Sequence, residues 1–141
     1  MIGFDVKGRK NLALGATATN PDGLKPDGQG GPPSAAIDGD PKTYWDEVDG
    51  QPLYQLRVQL KQPATVCAIR ISGWRHHNHA PKDFEVLCDD RVLKSVTNAQ
   101  YQDNQLLVVL PPTRCATIQL NITGYYPKSP AIRELEIYGK D

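Results

Sequence analysis

From Gln51 to Lys61 the chain alternates with period two. Leu53, Gln55, Arg57 and Gln59 fall on one side and Tyr54, Leu56, Val58 and Leu60 on the other. Such alternation predicts a half-buried β-strand with the even-numbered face inward. Thr65–Gly73 reads as a second strand, Asp83–Asp89 as a third, and Val92–Asn98 as a fourth reached through a tight turn at Asp89-Asp90-Arg91. Gln105–Leu110 and Ala116–Thr123 add two more, the latter with Ile118, Leu120 and Ile122 opposite Thr117, Gln119 and Asn121, and Arg133–Tyr138 closes the sheet. No helical period extends beyond a turn near Ser34–Ile37. Residues 1–10 read as a polar lead-in, and 20–34, rich in Gly, Pro and Asp, as a loop. Many short antiparallel strands joined by ordered loops predict an all-β sandwich or barrel.

Composition agrees with this picture. Twelve glycines and twelve prolines punctuate short apolar runs. At 141 residues the chain is one domain, 11–141 after the lead-in, and buries roughly two-thirds of the surface an unfolded chain exposes. Sixteen basic and sixteen acidic residues cancel, so no global field draws it to nucleic acid. No apolar run approaches the ~20 residues of a membrane span, and Met1-Ile2-Gly3-Phe4-Asp5 lacks the apolar core of a signal peptide. The lead-in points to a module carried by a larger protein, itself expected to be monomeric. Three cysteines cannot all pair. Cys67 shares an alternation face with Ile69 and Ile71, and Cys88 one with Phe84 and Val86. Buried thiols acting as small hydrophobes are expected, with a Cys67–Cys88 disulfide as the alternative.

Two stretches carry candidate chemistry. Ala35-Ala36-Ile37-Asp38-Gly39-Asp40-Pro41-Lys42-Thr43-Tyr44-Trp45 places two carboxylates, a turn glycine and a hydroxyl ahead of an aromatic anchor. A hard cation such as calcium needs about six to eight oxygens, and a tight acidic turn converges several of them. The run Ile132–Gly139 brings a further carboxylate. Solvated turns use the same Asp-Gly-Asp triplet, so the motif alone leaves both readings open. The second stretch, Trp74-Arg75-His76-His77-Asn78-His79-Ala80-Pro81, holds all three histidines and one of the two tryptophans. A sugar is recognised by a flat apolar face against its C–H side and planar donors and acceptors on its hydroxyls; Trp, Arg, His and Asn supply both.

Asn11–Thr19, the Ala36-Ile37-Asp38-Gly39-Asp40 to Thr43-Tyr44-Trp45 loop and the closing Ile132-Arg133-Glu134-Leu135-Glu136-Ile137-Tyr138-Gly139 occur in that order. Together they resemble the discoidin domain (coagulation factor V/VIII type C) and, within it, the family 32 carbohydrate-binding modules, over residues 11 to 139. The resemblance implies a jelly-roll β-sandwich of about eight antiparallel strands, a structural calcium ion and a ligand site on loops at one end. It implies side-chain cation ligands from Asp38, Thr43 and Glu134, carbonyl ligands from Ala35, Asp40 and Arg133, and an Asp40 side chain outside the shell. It places ligand-binding residues at Trp74, Arg75, His76, His77 and Asn78, and a late-loop platform at Tyr125 or Tyr126. Trp45 corresponds to a core anchor. After it stand Asp46, Glu47, Val48 and Asp49 where the family often has a His, so a galactose preference does not carry over; Asp46 and Glu47 are candidate ligand groups instead. The missing end-closing disulfide points to a bacterial module, secreted or at a cell surface, that binds a terminal sugar or short glycan without catalysis.

Three other classes compete. An enzyme would use Asp46, Glu47 or Asp49 beside His76 or His77, but no nucleophile with its base is evident. A transition metal would use His77 and His79, without further ligands in place. A protein- or lipid-binding discoidin domain needs Trp74, Leu53 and Leu24 to project together above basic residues.

Overall fold

The structure, a computed structural model, describes residues 6–26, 30–74, 79–126 and 129–139. Its elements are β1 (Thr17–Thr19), a 3-10 turn (Pro33–Ala36), β2 (Tyr54–Gly73), β3 (Ala80–Cys88), β4 (Arg91–Val96), β5 (Gln105–Tyr126) and β6 (Ile132–Gly139). All strand pairs are antiparallel.

β2 and β5 are long because each serves two layers. Residues 54–59 of β2 pair with 117–122 of β5 and with β1, and the same end of β5 carries β3 and then β4. Residues 64–72 of β2 pair with 105–115 of β5 and, on the other edge, with β6. The register breaks between Gln59 and Ala64. Pro63 lies in that break and Pro111-Pro112 on the opposing strand; lacking N–H donors, prolines cannot continue a straight ladder. The sequence therefore reads as strand ends at both places, whereas the backbone stays extended and crosses from one layer to the other. Counting the halves separately gives eight strands of a discoidin-like β-sandwich.

One core lies between the layers. Tyr54, Leu56, Val58, Phe84, Val86, Ile118, Leu120 and Ile122 meet Ile69, Ile71, Val108, Leu110, Leu135 and Ile137. Over Tyr54–Leu60 the even-numbered face of β2 is inward as its periodicity predicts, each such side chain contributing about 1.5–3 kcal/mol by leaving water. Both central residues of the β3–β4 turn, Asp89 (φ 47°) and Asp90 (φ 72°), adopt the left-handed conformation that two-residue hairpins demand. No helix of the described residues is long and apolar enough to cross a membrane.

Cys67 is a buried thiol as expected, but the other two cysteines require a correction. Cys88 is bonded to Cys115, with Cα atoms 5.5 Å apart, rather than buried as a thiol or joined to Cys67. The β3–β5 pairing brings Cys88 opposite Ile118, close to Cys115, a proximity that local alternation does not reveal. Nor does Cys67 share a face with Ile69 and Ile71. A bulge between Val66 and Ala68 shifts the alternation by one, so that Val66 joins the core instead. The Cys67 thiol donates to the Tyr138 carbonyl at 3.7 Å.

Candidate functional site

The segment from Ala35 to Trp45 is held from both ends of the chain. Trp45 is almost wholly buried, and its backbone exchanges two hydrogen bonds with Ile132 at the start of β6 (2.8 and 2.9 Å). β6 thereby brings Glu134 to the loop, where Gly39 N–H donates to Glu134 Oε2 at 3.2 Å. Gly39 sits at φ 75°, a conformation that suits glycine and turns its N–H toward the strand. Asp38 Oδ1 accepts from Asp40 N–H, and Asp40 Oδ1 from Lys42 N–H, each at 2.9 Å. These Asx turns give the loop its tight course and commit the Asp40 side chain to it.

The Thr43 hydroxyl stands within hydrogen-bonding distance of three oxygens: Asp38 Oδ2 at 2.6 Å, the Asp40 carbonyl at 3.2 Å and the Ala35 carbonyl at 3.4 Å. One hydroxyl proton cannot serve three acceptors at once, so the loop gathers more oxygen than its own donors satisfy. Burial, reinforced by the charges of Asp38 and Glu136, pushes the Glu134 carboxyl up to about 7 despite the Gly39 N–H and Arg133. Among the described residues no three His, Cys, Asp or Glu side chains converge as a metal group. A cation here would rest on Asp38, Glu134 and neutral oxygens, a donor set that fits a hard ion and not a thiolate- or imidazole-seeking one. Asp38, Thr43 and Ala35 also line a groove of about 330 Å³ with Gly31, Ser34 and Tyr44.

Next to this loop, the Tyr44 ring stacks on Trp74, with centroids 4.0 Å apart and planes 14° from parallel. Trp74 follows β2, and its N–H donates to the His79 carbonyl at 3.1 Å, pinching the base of the loop between them. The preceding residue, Gly73, is bracketed by Asn104. Gly73 N–H donates to the Asn104 carbonyl (3.2 Å), and Asn104 Nδ2 donates to the Gly73 carbonyl (2.6 Å). Neither Tyr44 nor Asn104 is singled out by the sequence. Both act through contacts between loops far apart in the chain, and only the left-handed Asp103-Asn104 pair has a local signature, that of a tight hairpin turn.

Arg75, His76, His77 and Asn78 lie outside the described residues, so the histidine cluster is described only at His79, whose buried Nδ1 has no hydrogen-bond partner among the described residues. Asp46 and Glu47 face inward rather than onto the loop surface. Asp46 Oδ1 accepts from Ser129 Oγ (2.7 Å) and Glu47 N–H (3.0 Å). Glu47 Oε2 accepts from Asn20 Nδ2 at 2.5 Å. Burial pushes the Glu47 carboxyl up to about 8, helped by a hydrogen bond and charge from Asp22 and opposed by Asn20 and Trp45. Tyr125 and Tyr126 are half-buried, their hydroxyls donating to the carbonyls of Gln51 (2.9 Å) and Ala99 (2.8 Å), and Tyr125 meets Tyr54 edge-on. Of the three apolar side chains that a lipid reader would project, Leu24 packs against the core and Trp74 against Tyr44, while Leu53 is exposed.

The family model of the F5/8 type C domain matches residues 15–135. The fold is similar to that of chitosan-binding module 1 of a chitosanase/glucanase from Paenibacillus sp. IK-5, with a TM-score of 0.78 and 20% identity over 92% of this chain and 99% of that one. It is similar also to the family 32 carbohydrate-binding module of C. perfringens NanJ in complex with galactose, at 0.72 and 23% over 92% and 98%. A fucose-binding module of Streptococcus pneumoniae matches at 0.72 and 17% over 98% and 100%. No curated protein matches the chain in sequence.

Proposed function

The chain belongs to the F5/8 type C domain family, and from that premise we propose that it is a non-catalytic carbohydrate-binding module that takes a terminal sugar or short glycan at the loop end of the sandwich. The observation that carries this reading is the meeting of the oxygen-rich 35–43 loop and the Tyr44–Trp74 aromatic pair, the latter immediately preceding Arg75–Asn78 in the sequence. Solved relatives of the same fold are described as binding chitosan, galactose and fucose, which supports the ligand class without choosing among sugars.

Trp74 offers the apolar surface, and Arg75 with Asn78 the planar donors for hydroxyls. Asp46 and Glu47 leave the proposed ligand set, because their carboxylates are committed inside the fold. The same burial takes Asp46 and Glu47 out of the acid set of the hydrolase reading, while Asp49 stays exposed. Calcium would be held by Asp38, Thr43 and Glu134, with carbonyls from Ala35, Asp40 and Arg133. Its chemistry there is electrostatic, neutralising the gathered oxygens and fixing the loop. The Cys88–Cys115 disulfide favours an oxidising compartment, in keeping with a secreted or surface-attached module of a larger bacterial protein.

A monosaccharide of about twelve heavy atoms at roughly 0.3 kcal/mol each binds with about 4 kcal/mol, or millimolar affinity, so useful targeting depends on multivalency. The test is a glycan-array screen in calcium with the wild type, Arg75→Ala and Trp74→Ala. Binding to a defined terminal sugar that falls at least tenfold in both variants is the expected result. Silence across a broad array from folded protein would overturn the proposal, and liposome sedimentation would then ask for a lipid partner.

A further inference from the structure

Tyr44 belongs to two sites at once. Its backbone continues directly from Thr43, whose hydroxyl gathers the Ala35, Asp38 and Asp40 oxygens, and its carbonyl accepts from Gly31 N–H at 2.8 Å. Its ring lies flat on Trp74. On the other side, Trp74 is fixed at its backbone by His79 and, through Gly73, by Asn104. Gly73 and Gly31 are both crowded positions. A Cβ on Gly73 would meet the Ala80 Cβ and Asn104 Oδ1 at 3.1 Å, and one on Gly31 would meet the Ala35 Cβ at 2.9 Å and the Tyr44 carbonyl at 3.0 Å. Both segments are closely packed, and the stacked rings are the contact through which a change in the 35–43 loop would reach Trp74.

We infer that Tyr44 is a positioning residue that couples cation binding at the 35–43 loop to the placement of Trp74, and through it to ligand binding at the Trp74 indole. The inference rests on the cation and sugar readings above. Its physical content is a differential one. Drawing the Asp38, Asp40, Ala35 and Thr43 oxygens around a cation selects one course of the backbone into Tyr44, and a ring that stacks at 4.0 Å with nearly parallel planes transmits that selection. Linkage then requires reciprocity: whatever factor calcium adds to ligand affinity, ligand adds to calcium affinity. Removing the ring uncouples the two sites without removing a single cation ligand.

The experiment uses calcium alone as the probe. Calcium is titrated into chelator-treated protein while heat and tryptophan emission are followed separately, and Trp74→Phe identifies the share of the emission that belongs to Trp74. The wild type is expected to bind one calcium and to change its Trp74 emission with the same midpoint. Tyr44→Ala is expected to bind calcium with unchanged stoichiometry and to lose the emission change. Tyr44→Phe, which keeps the stacked ring, restores it. Thermal melts followed by circular dichroism confirm that both variants fold, and Tyr44→Leu repeats the test if the alanine variant does not. A calcium-dependent Trp74 signal that persists without the ring, or calcium binding with no Trp74 signal in the wild type, overturns the coupling and leaves the cation reading intact. Absence of any calcium heat in the wild type overturns the cation reading and the coupling with it.

Discussion

Glu47 is a buried carboxyl that holds two loops together. It accepts from Asn20 and interacts with Asp22, while Asp22 in turn accepts from the N–H groups of Leu24 and Gln55 at 2.8 and 2.6 Å. Two acids at such close quarters are most stable sharing a proton, and burial keeps that proton on Glu47 up to about pH 8. A carboxyl whose folded value lies above its ordinary 4.5 takes up a proton on folding between the two. Stability is therefore complete below that window, declines as pH climbs through it, and is reduced in full above about 8. Urea midpoints at pH 5 and pH 8 are expected to differ by a contribution on the order of 3 kcal/mol. Glu47→Gln, whose amide donates to Asp22 without titrating, removes that share of the slope and is the more stable protein at pH 8. The acid run after Trp45 is visible in the sequence, but its inward orientation is not. A loop residue's facing is set by the segment it meets, here residues 20–26, which no local period announces.

At the scale of elements, the long strands decide more than their count. Because β2 and β5 each cross both layers, the far end of β3 lands beside the middle of β5, and the disulfide joins Cys88 to a residue 27 positions later. A cross-link of that span constrains the unfolded chain by about 2–4 kcal/mol. The double variant Cys88→Ala/Cys115→Ala is expected to lose that amount in urea unfolding. Reductant should lower the midpoint of the wild type and of Cys67→Ala, and leave the double variant unchanged. Strand identity was legible in the alternation of Tyr54–Leu60 and of Ile118–Ile122, because a half-buried strand must repeat every second residue. The continuity of the strands through Pro63 and Pro111-Pro112 was not, since a proline marks a lost hydrogen bond and says nothing of where the chain goes next.

For the molecule as a whole, the first and last segments close on each other. Leu12 N–H donates to the Ile137 carbonyl at 2.7 Å, Arg9 Nη1 to the Gly139 carbonyl at 2.9 Å, and Gly39 N–H reaches Glu134 across 95 residues. A cation held by Asp38 and Glu134 would tie the same ends, and a ligand bound only by the folded state at about 100 times its dissociation constant adds about 2.7 kcal/mol. Chelation is accordingly expected to lower Tm by roughly 5–15 °C, as read by calorimetry. Thr43→Val, which deletes the hydroxyl at the centre of the oxygen set, should abolish most of the difference between calcium-loaded and chelated protein. Equal Tm values in calcium and in chelator would remove the ion from the account.

The sequence by itself determined the β-class, the inward faces of Tyr54–Leu60 and Ile118–Ile122, the acidic loop before Trp45 and the carboxylate that returns to it. Each of these is written in local spacing or in the order of motifs along the chain. Tertiary structure decided the partner of Cys88, the shift of Cys67 off the face of Ile69 and Ile71 by a bulge, the inward turn of Asp46 and Glu47, and the stacking of Tyr44 on Trp74. The reason is common to all four. Alternation reports which side of a strand a residue takes, whereas register, bulges and loop packing decide what stands on that side, and these arise only when distant segments are brought together.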